Sequence, residues 1–235
     1  MKVNVKKALA LSDYNGRFKD SLKLVLKKLN NTDLTLQEKA YLLATAKIES
    51  EYSLQRWEAD YLCGEMGVAY SEKPCQKAIN YYRSSSGKKN YFDLGTDKKG
   101  MAYFGRGLIQ LTGKDNYAKY GKKINVDLVN DGDKALKKNN SFNIAVAYMK
   151  DRTFKHLPND LHSARQSVGN TQDRAKVDNA YYKWLGILKT SEYEPIADKI
   201  PIIKNIEPKK RKALLIISGV SIFAGIGAYF LMRKK

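Results

Sequence analysis

Apolar residues recur at helical spacing in four stretches of the chain. In residues 20–29, Leu22, Val25, Leu26 and Leu29 form one stripe, which Asn30 and Asn31 end. Thr35 and Glu38, with Leu36 and Gln37 between them, have the form of a capping box, so a second helix is predicted over 35–50. A third is predicted over 143–150 and a fourth over 174–188, the last with Tyr181, Trp184, Leu185 and Leu188 on one face. Alternation of period two is sparse, and its best instance is 108–112. Residues 84–100 (SSSGKKNYFDLGTDKKG) read as a long loop, a kind of segment that is often functional. The pattern predicts a mainly α fold with a small β element and no internal repeat.

Residues 213–232 (ALLIISGVSIFAGIGAYFLM) carry no charge. At about 1.5 Å per residue they span roughly 30 Å, the hydrocarbon thickness of a bilayer, so a transmembrane helix is predicted there. The small pairs Ser221/Gly225 and Ala224/Ala228 would permit weak self-association within the membrane. Basic residues flank both ends, at 209–212 and 233–235, and do not assign an orientation. Pro195, Pro201 and Pro208 precede the span and favour an extended tether. Residues 1–7 are basic, but the apolar run 8–11 is too short for a secretory leader, so none is expected. The expected layout is a folded domain over 1–190, a basic linker over 191–212, a membrane helix over 213–232 and a basic tail over 233–235.

The net charge is +19, and it is not all in the tail: residues 209–235 hold seven bases, leaving 36 bases against 24 acids elsewhere. Such a field suits a polyanion, whether nucleic acid, anionic lipid or an acidic wall polymer. It equally suits a lysine-rich surface kept soluble by charge. No motif singles out nucleic acid as a specific partner. Cys63 and Cys75 are too few for a disulfide framework or a zinc site, and one bridge or two free thiols both remain open. His156 and His162 have no Cys/His company, and neither a metal nor a cofactor is expected.

Residues 102–117 (AYFGRGLIQLTGKDNY) contain a near-match to a phosphate-binding loop. Five residues separate Gly107 from Gly113 and Asp115 follows Lys114, so the spacing and the metal-binding hydroxyl are both wrong. As a short extended segment, 108–112 would turn Gln110 and Thr112 to one side over an apolar floor of Ile109 and Leu111. An amide, a hydroxyl and nearby tyrosines suit a sugar, and the same features suit a polar edge strand with turn glycines. A glycosidase also needs two carboxyls. Glu49, near the end of the helix over 35–50, projects from its apolar face, where partial burial would raise a carboxyl pKa as a general acid requires. Glu58 follows nine residues later. Glu51, Asp60 and Glu65 compete with these two on spacing.

The segment 103–121 (YFGRGLIQLTGKDNYAKYG) resembles the signature of the family 19 glycoside hydrolases, which include chitinases and phage and bacterial peptidoglycan hydrolases. Residues 44–62 (ATAKIESEYSLQRWEADYL) resemble that family's block with two catalytic glutamates nine positions apart. The resemblance extends over roughly 18–190. It implies a lysozyme-like, two-lobed helical domain with a cleft, and an inverting single displacement with Glu49 as general acid and Glu58 as general base. It further implies that Thr112 helps hold the attacking water, that Gln110 and Asn116 bind an N-acetyl sugar, that Tyr103 is an aromatic of the cleft and that Arg106 is structural or electrostatic near substrate. Residues 167–170 resemble the family's late Asn-Gly turn in reversed order, making Asn170 a sugar ligand. Two further differences are Ile48, where the family has His, and Ser50-Glu51-Tyr52 in place of small residues. Arg174 is the nearest counterpart to the family's late arginine.

The resemblance fits peptidoglycan and chitin alike as the glycan partner. The compact chain, the basic body and the membrane span favour peptidoglycan, cleaved between N-acetylmuramic acid and N-acetylglucosamine. Such an enzyme would sit in the membrane of a lipid-containing phage virion or, as an endolysin, in the host inner membrane. A non-catalytic, anchored glycan or polyanion binder is the alternative.

Overall fold

The computed structural model describes residues 2–58, 62, 75–84, 90–169 and 171–192. The span at 213–232 and its linker from 193 onward lie outside these residues, as do Asp60, Cys63, Glu65 and Asn170. Chain contacts divide the protein into Met1–Glu192 and Tyr193–Lys235, and all described residues belong to the first unit. Among the described residues, no helix is long and apolar enough to cross a membrane.

The described part is built from α-helices joined by turns and short 3₁₀ segments. They are α1 (Val5–Ser12), α2 (Lys19–Leu29), α3 (Leu36–Ser50), α4 (Gln76–Ser84), α5 (Asn90–Asp93), α6 (Lys114–Lys123), α7 (Lys138–Arg152), α8 (Leu161–Val168) and α9 (Arg174–Thr190). The stripe on α2 is buried as its spacing requires, at Leu22, Val25, Leu26 and Leu29. The capping box of α3 forms from both sides: Glu38 N donates to Thr35 Oγ1 (3.3 Å) and Thr35 N donates to Glu38 Oε2 (2.6 Å). Residues 39–46 of α3 are all buried, so this helix is the axis of the fold rather than a surface helix. It packs along α9, which buries Val177, Ala180, Tyr181, Trp184, Ile187 and Leu188. Each fully buried side chain of this size contributes roughly 1.5–3 kcal/mol.

Two apolar clusters result. The large one gathers α1, α2, α3, α6, α7 and α9. A smaller one consists of Trp57, Ala78, Tyr82, Ala102, Phe104 and Leu136, with Tyr82 stacked on Phe104 at 5.1 Å. Cys75, which is disulfide-bonded, and Tyr91 flank it. The chain's other cysteine is Cys63.

The predicted strand at 108–112 does not form. Residues 107–110 are a turn closed by an antiparallel bridge, in which Arg106 N donates to Leu111 O (3.1 Å) and Leu111 N to Arg106 O (2.9 Å). Leu108, Ile109 and Leu111 are all buried, so the alternation of faces expected for a strand is lost. The β content among the described residues is isolated bridges: Val3 with Glu192, Trp57 with Arg106, Thr96 with Ala102, and Arg106 with Leu111. Short-range periodicity misled here because five residues cannot show whether the chain reverses within them. The predicted loop at 84–100 contains the short helix α5. α1, α4, α6 and α8 were not predicted. Each is only eight to ten residues long, too short for a decisive apolar stripe.

Gly107 has φ +78°, and a Cβ there would lie 2.7 Å from Ser141 Oγ and 3.3 Å from Ala135 O. Gly107→Ala is expected to cost roughly 1–3 kcal/mol through both effects, seen as a lower urea midpoint with an unchanged slope.

Candidate active site

Glu49 is the penultimate residue of α3, and its side chain is 23% exposed. Beyond it the backbone turns sharply: Glu51 (φ 52°) and Tyr52 (φ 68°) are both left-handed, although neither is glycine. Each such residue costs of order 1–3 kcal/mol and must be over-determined by its surroundings. Here Tyr52 is buried, its ring set edge-on to Tyr14 (5.0 Å) and Trp184 (6.0 Å), and its hydroxyl accepts from Trp184 Nε1 (3.0 Å). Tyr52 N donates to Ala46 O (3.0 Å), closing the helix end. Burial of a large ring thus supplies what a small, flexible residue would supply by conformational freedom. Ser50 Oγ donates to Leu108 O (2.8 Å), fastening the end of α3 to the 107–110 turn. Ile48 packs against the large cluster.

An arginine, not an apolar pocket, faces Glu49. Arg165 Nη1 donates to Glu49 Oε1 at 2.7 Å, and the Arg165 side chain is 2% exposed. A carboxyl that releases a proton there becomes an anion already paired with a guanidinium, in a charge-assisted hydrogen bond. Arg165 was missed by the sequence reading, yet it left a signal. It occupies the core-facing register of α8 between Leu161 and Val168, beside buried Ala164, where an apolar residue is the rule. Arg174, the counterpart expected from the resemblance, instead pairs with Asp178 (3.3 Å) and His162 (3.1 Å) in solvent.

Glu58 is held by the other cluster. It follows buried Trp57, which bridges to Arg106. Glu58 N donates to Gly105 O (2.7 Å), and Gly105 N returns a bond to Glu58 Oε2 (3.1 Å). A Cβ on Gly105 would lie 3.3 Å from that carboxylate oxygen and 3.0 Å from Gln110 Oε1, so the approach of Glu58 needs glycine. Gln110 spends both amide hydrogens on backbone, donating to Arg56 O (3.1 Å) and Gly107 O (2.9 Å). Its Oε1 keeps acceptor capacity. Thr112 Oγ1 donates to Gln110 O (2.9 Å) and keeps its lone pairs, and Asn116 Nδ2 donates to Thr112 O (2.7 Å). Thr112, Gln110 and Asn116 are all half-buried. Glu51, a competitor on spacing, is an exposed partner of Arg17 (3.5 Å).

Two residues proposed for substrate are taken up by the interior. Arg106 is 1% exposed; its Nε meets Asp133 Oδ1 (3.1 Å), and its Nη1 donates to Ala102 O (3.0 Å) and Tyr117 Oη (2.8 Å). Its guanidinium lies 4.1 Å from the Phe104 ring centroid. Burial pushes the Tyr117 phenol up to about 12, so it remains protonated and donates to Phe104 O (2.7 Å). Burial also pushes the Asp133 carboxyl up, against the lowering effect of Arg106. Arg106 is therefore buried as a structural post, the structural side of the role expected for it. Tyr103 is 3% exposed, with its hydroxyl on Val129 O (2.7 Å) and Thr96 O (3.2 Å), and is a core ring rather than a cleft-lining one. Among the described residues no cluster of His, Cys, Asp and Glu could hold a metal.

A family model described as chitinase class I, glycoside hydrolase family 19, matches residues 59–179. The chain belongs to the family 19 glycoside hydrolases. The match covers the GRG segment, α8 and the start of α9, and begins one residue after Glu58. This hydrolase is similar in fold to the crystal structure of chitinase C from Streptomyces griseus HUT6037. The identity is 16%, 83% of this chain and 96% of that chain are covered, and the TM-score is 0.51. A mutant of chitinase C gives 16% identity, coverage of 82% and 95%, and the same TM-score. No curated protein matches the sequence.

A hydrogen bond to a charged group is worth about 1.5–3 kcal/mol. On that scale Arg165→Met is expected to lower kcat about 10- to 100-fold, with KM little changed. Steady-state kinetics alongside a thermal melt would check this.

Proposed function

We propose that this hydrolase cleaves the β-1,4 glycan backbone of peptidoglycan by a single displacement with inversion. Glu49 donates its proton to the glycosidic oxygen as the bond to the anomeric carbon breaks. Glu58 takes a proton from a water that attacks the same carbon from the opposite face, and Thr112 accepts a hydrogen bond from that water. Gln110 Oε1 and Asn116 receive the N-acetyl arm. The observation that carries the reading is that two half-buried carboxylates are each tied to one short segment, 105–108. Glu49 is fastened to it through Ser50 and Leu108, and Glu58 through Gly105 and Trp57. Each carboxylate rests on a different apolar cluster, which favours a fixed separation between them.

The basic body and the apolar run 213–232 favour a wall polymer approached from a bilayer, either a virion membrane or a host inner membrane. Detection of the protein in purified virions by mass spectrometry would support the first site. A chitinase is the second reading, favoured by the family description and by the fold shared with chitinase C.

Glu49→Gln and Glu58→Gln are each expected to lower turnover by about 10²–10⁴-fold, and Thr112→Val by about tenfold. The assay is digestion of purified walls beside chitin oligosaccharides, with mass spectrometry of the products and NMR of the new reducing end. Inverted, reducing muropeptides are expected. A 1,6-anhydro ring, a cut peptide stem, or retained configuration would refute the mechanism. Faster turnover of chitin oligosaccharides would move the substrate to chitin. Undiminished lysis by both glutamine variants would leave a glycan-binding protein.

A further inference from the structure

Four buried polar atoms without a protein partner are associated with one set of packed helices behind Glu49: Tyr41 Oη, Thr45 Oγ1, Arg165 Nε and Asp178 Oδ1. Tyr41, Thr45 and Glu49 are spaced four apart on α3, so they form one stripe along it. Arg165 of α8 meets that stripe at Glu49, and α9 packs along α3; the charges of Arg165 and Asp178 also act on the Tyr41 hydroxyl. The Tyr41 ring meets Tyr181 of α9 at 5.8 Å. Burial pushes the Tyr41 phenol up, so its hydroxyl keeps its proton.

A buried polar atom left unpaired costs about 1–3 kcal/mol, so four of them on neighbouring helices favour partners other than protein. The inventory is complementary: Arg165 Nε only donates, Asp178 Oδ1 only accepts, and the two hydroxyls do both. Water is the partner that fits such a set, since it makes two to four bonds to buried polar groups. We propose that this seam holds ordered water that aims Arg165 at Glu49, making Tyr41, Thr45 and Asp178 positioning residues for the acid. The proposal rests on the role of Glu49 given above. Arg165 has one fork atom, Nη1, on Glu49, while its buried Nε has no protein partner. A guanidinium is planar and rigid, so fixing Nε fixes the direction of Nη1. The other charged groups facing the seam are Asp173, which interacts with Arg165 before α9, and Arg174, which binds Asp178 Oδ2 at the surface. On α7, Arg152 is turned to the Tyr148 hydroxyl (3.0 Å).

The test uses the full-length enzyme on whichever glycan it cleaves, with Glu49→Gln as reference. Thr45→Val and Asp178→Asn are expected to lower kcat about three- to tenfold, with KM within about twofold. Thr45→Ser, which keeps the hydroxyl, is expected to restore kcat. A crystal structure resolving water should show one within hydrogen-bond distance of Arg165 Nε and Thr45 Oγ1. Unchanged kcat in Thr45→Val and Asp178→Asn, beside an inactive Glu49→Gln, would overturn the seam while leaving the acid assignment standing. So would an Arg165 Nε with no water on it. A fully active Glu49→Gln would overturn both. Should Thr45→Val fail to fold, the half-exposed Asp178→Asn decides.

Discussion

The Arg106 guanidinium lies almost wholly out of water between a carboxylate, a backbone carbonyl, a phenol and the face of Phe104. A cation is stable there only because its charge and most of its N–H groups are met, and removing one partner of such a set costs far more than never having built it. The segment that carries the site hangs on this post. Arg106 bridges backward to Trp57 and forward to Leu111, and so closes the turn that Gln110 pins from inside. Glu58 reaches its place through Gly105, the residue before the post. Arg106 therefore shapes the candidate site from within the core.

The left-handed pair Glu51 and Tyr52 is the second constraint. It sends the chain from the end of α3 toward Trp57, and it is stabilised by the Tyr14–Tyr52–Trp184 ring cluster and by Ser50 on Leu108. α9 thus supports the Glu49 end of the site through Trp184, and α8 does so through Arg165. The two glutamates are close in sequence, but elements from four separate stretches hold them in place.

Much of the helical framework was legible in the sequence. The α2 stripe, the Thr35–Glu38 capping box and the apolar face of α9 are local patterns whose energetics act within one or two turns, and all three appear as read. The short helices and the 107–110 turn were not legible, because their conformation depends on what they pack against. Of the proposed site residues, Glu49, Glu58, Gln110, Thr112 and Asn116 remain half-exposed around one turn. Arg106 and Tyr103 are absorbed by the core, as residue type and motif position could not distinguish a ligand-facing ring from a buried one.

By itself the sequence determined the chemistry on offer: two glutamates nine apart, a glycine-punctuated segment and a strongly basic chain. Residue spacing determines these, and spacing is a local property. Only the tertiary structure decided which cation faces which carboxylate. Arg165 and Glu49 are 116 residues apart and meet at 2.7 Å, while Arg174, the nearer match to the expected motif, turns to solvent. The burial that makes one arginine a partner and the other a surface charge is a product of packing among α3, α8 and α9, and no single segment encodes it.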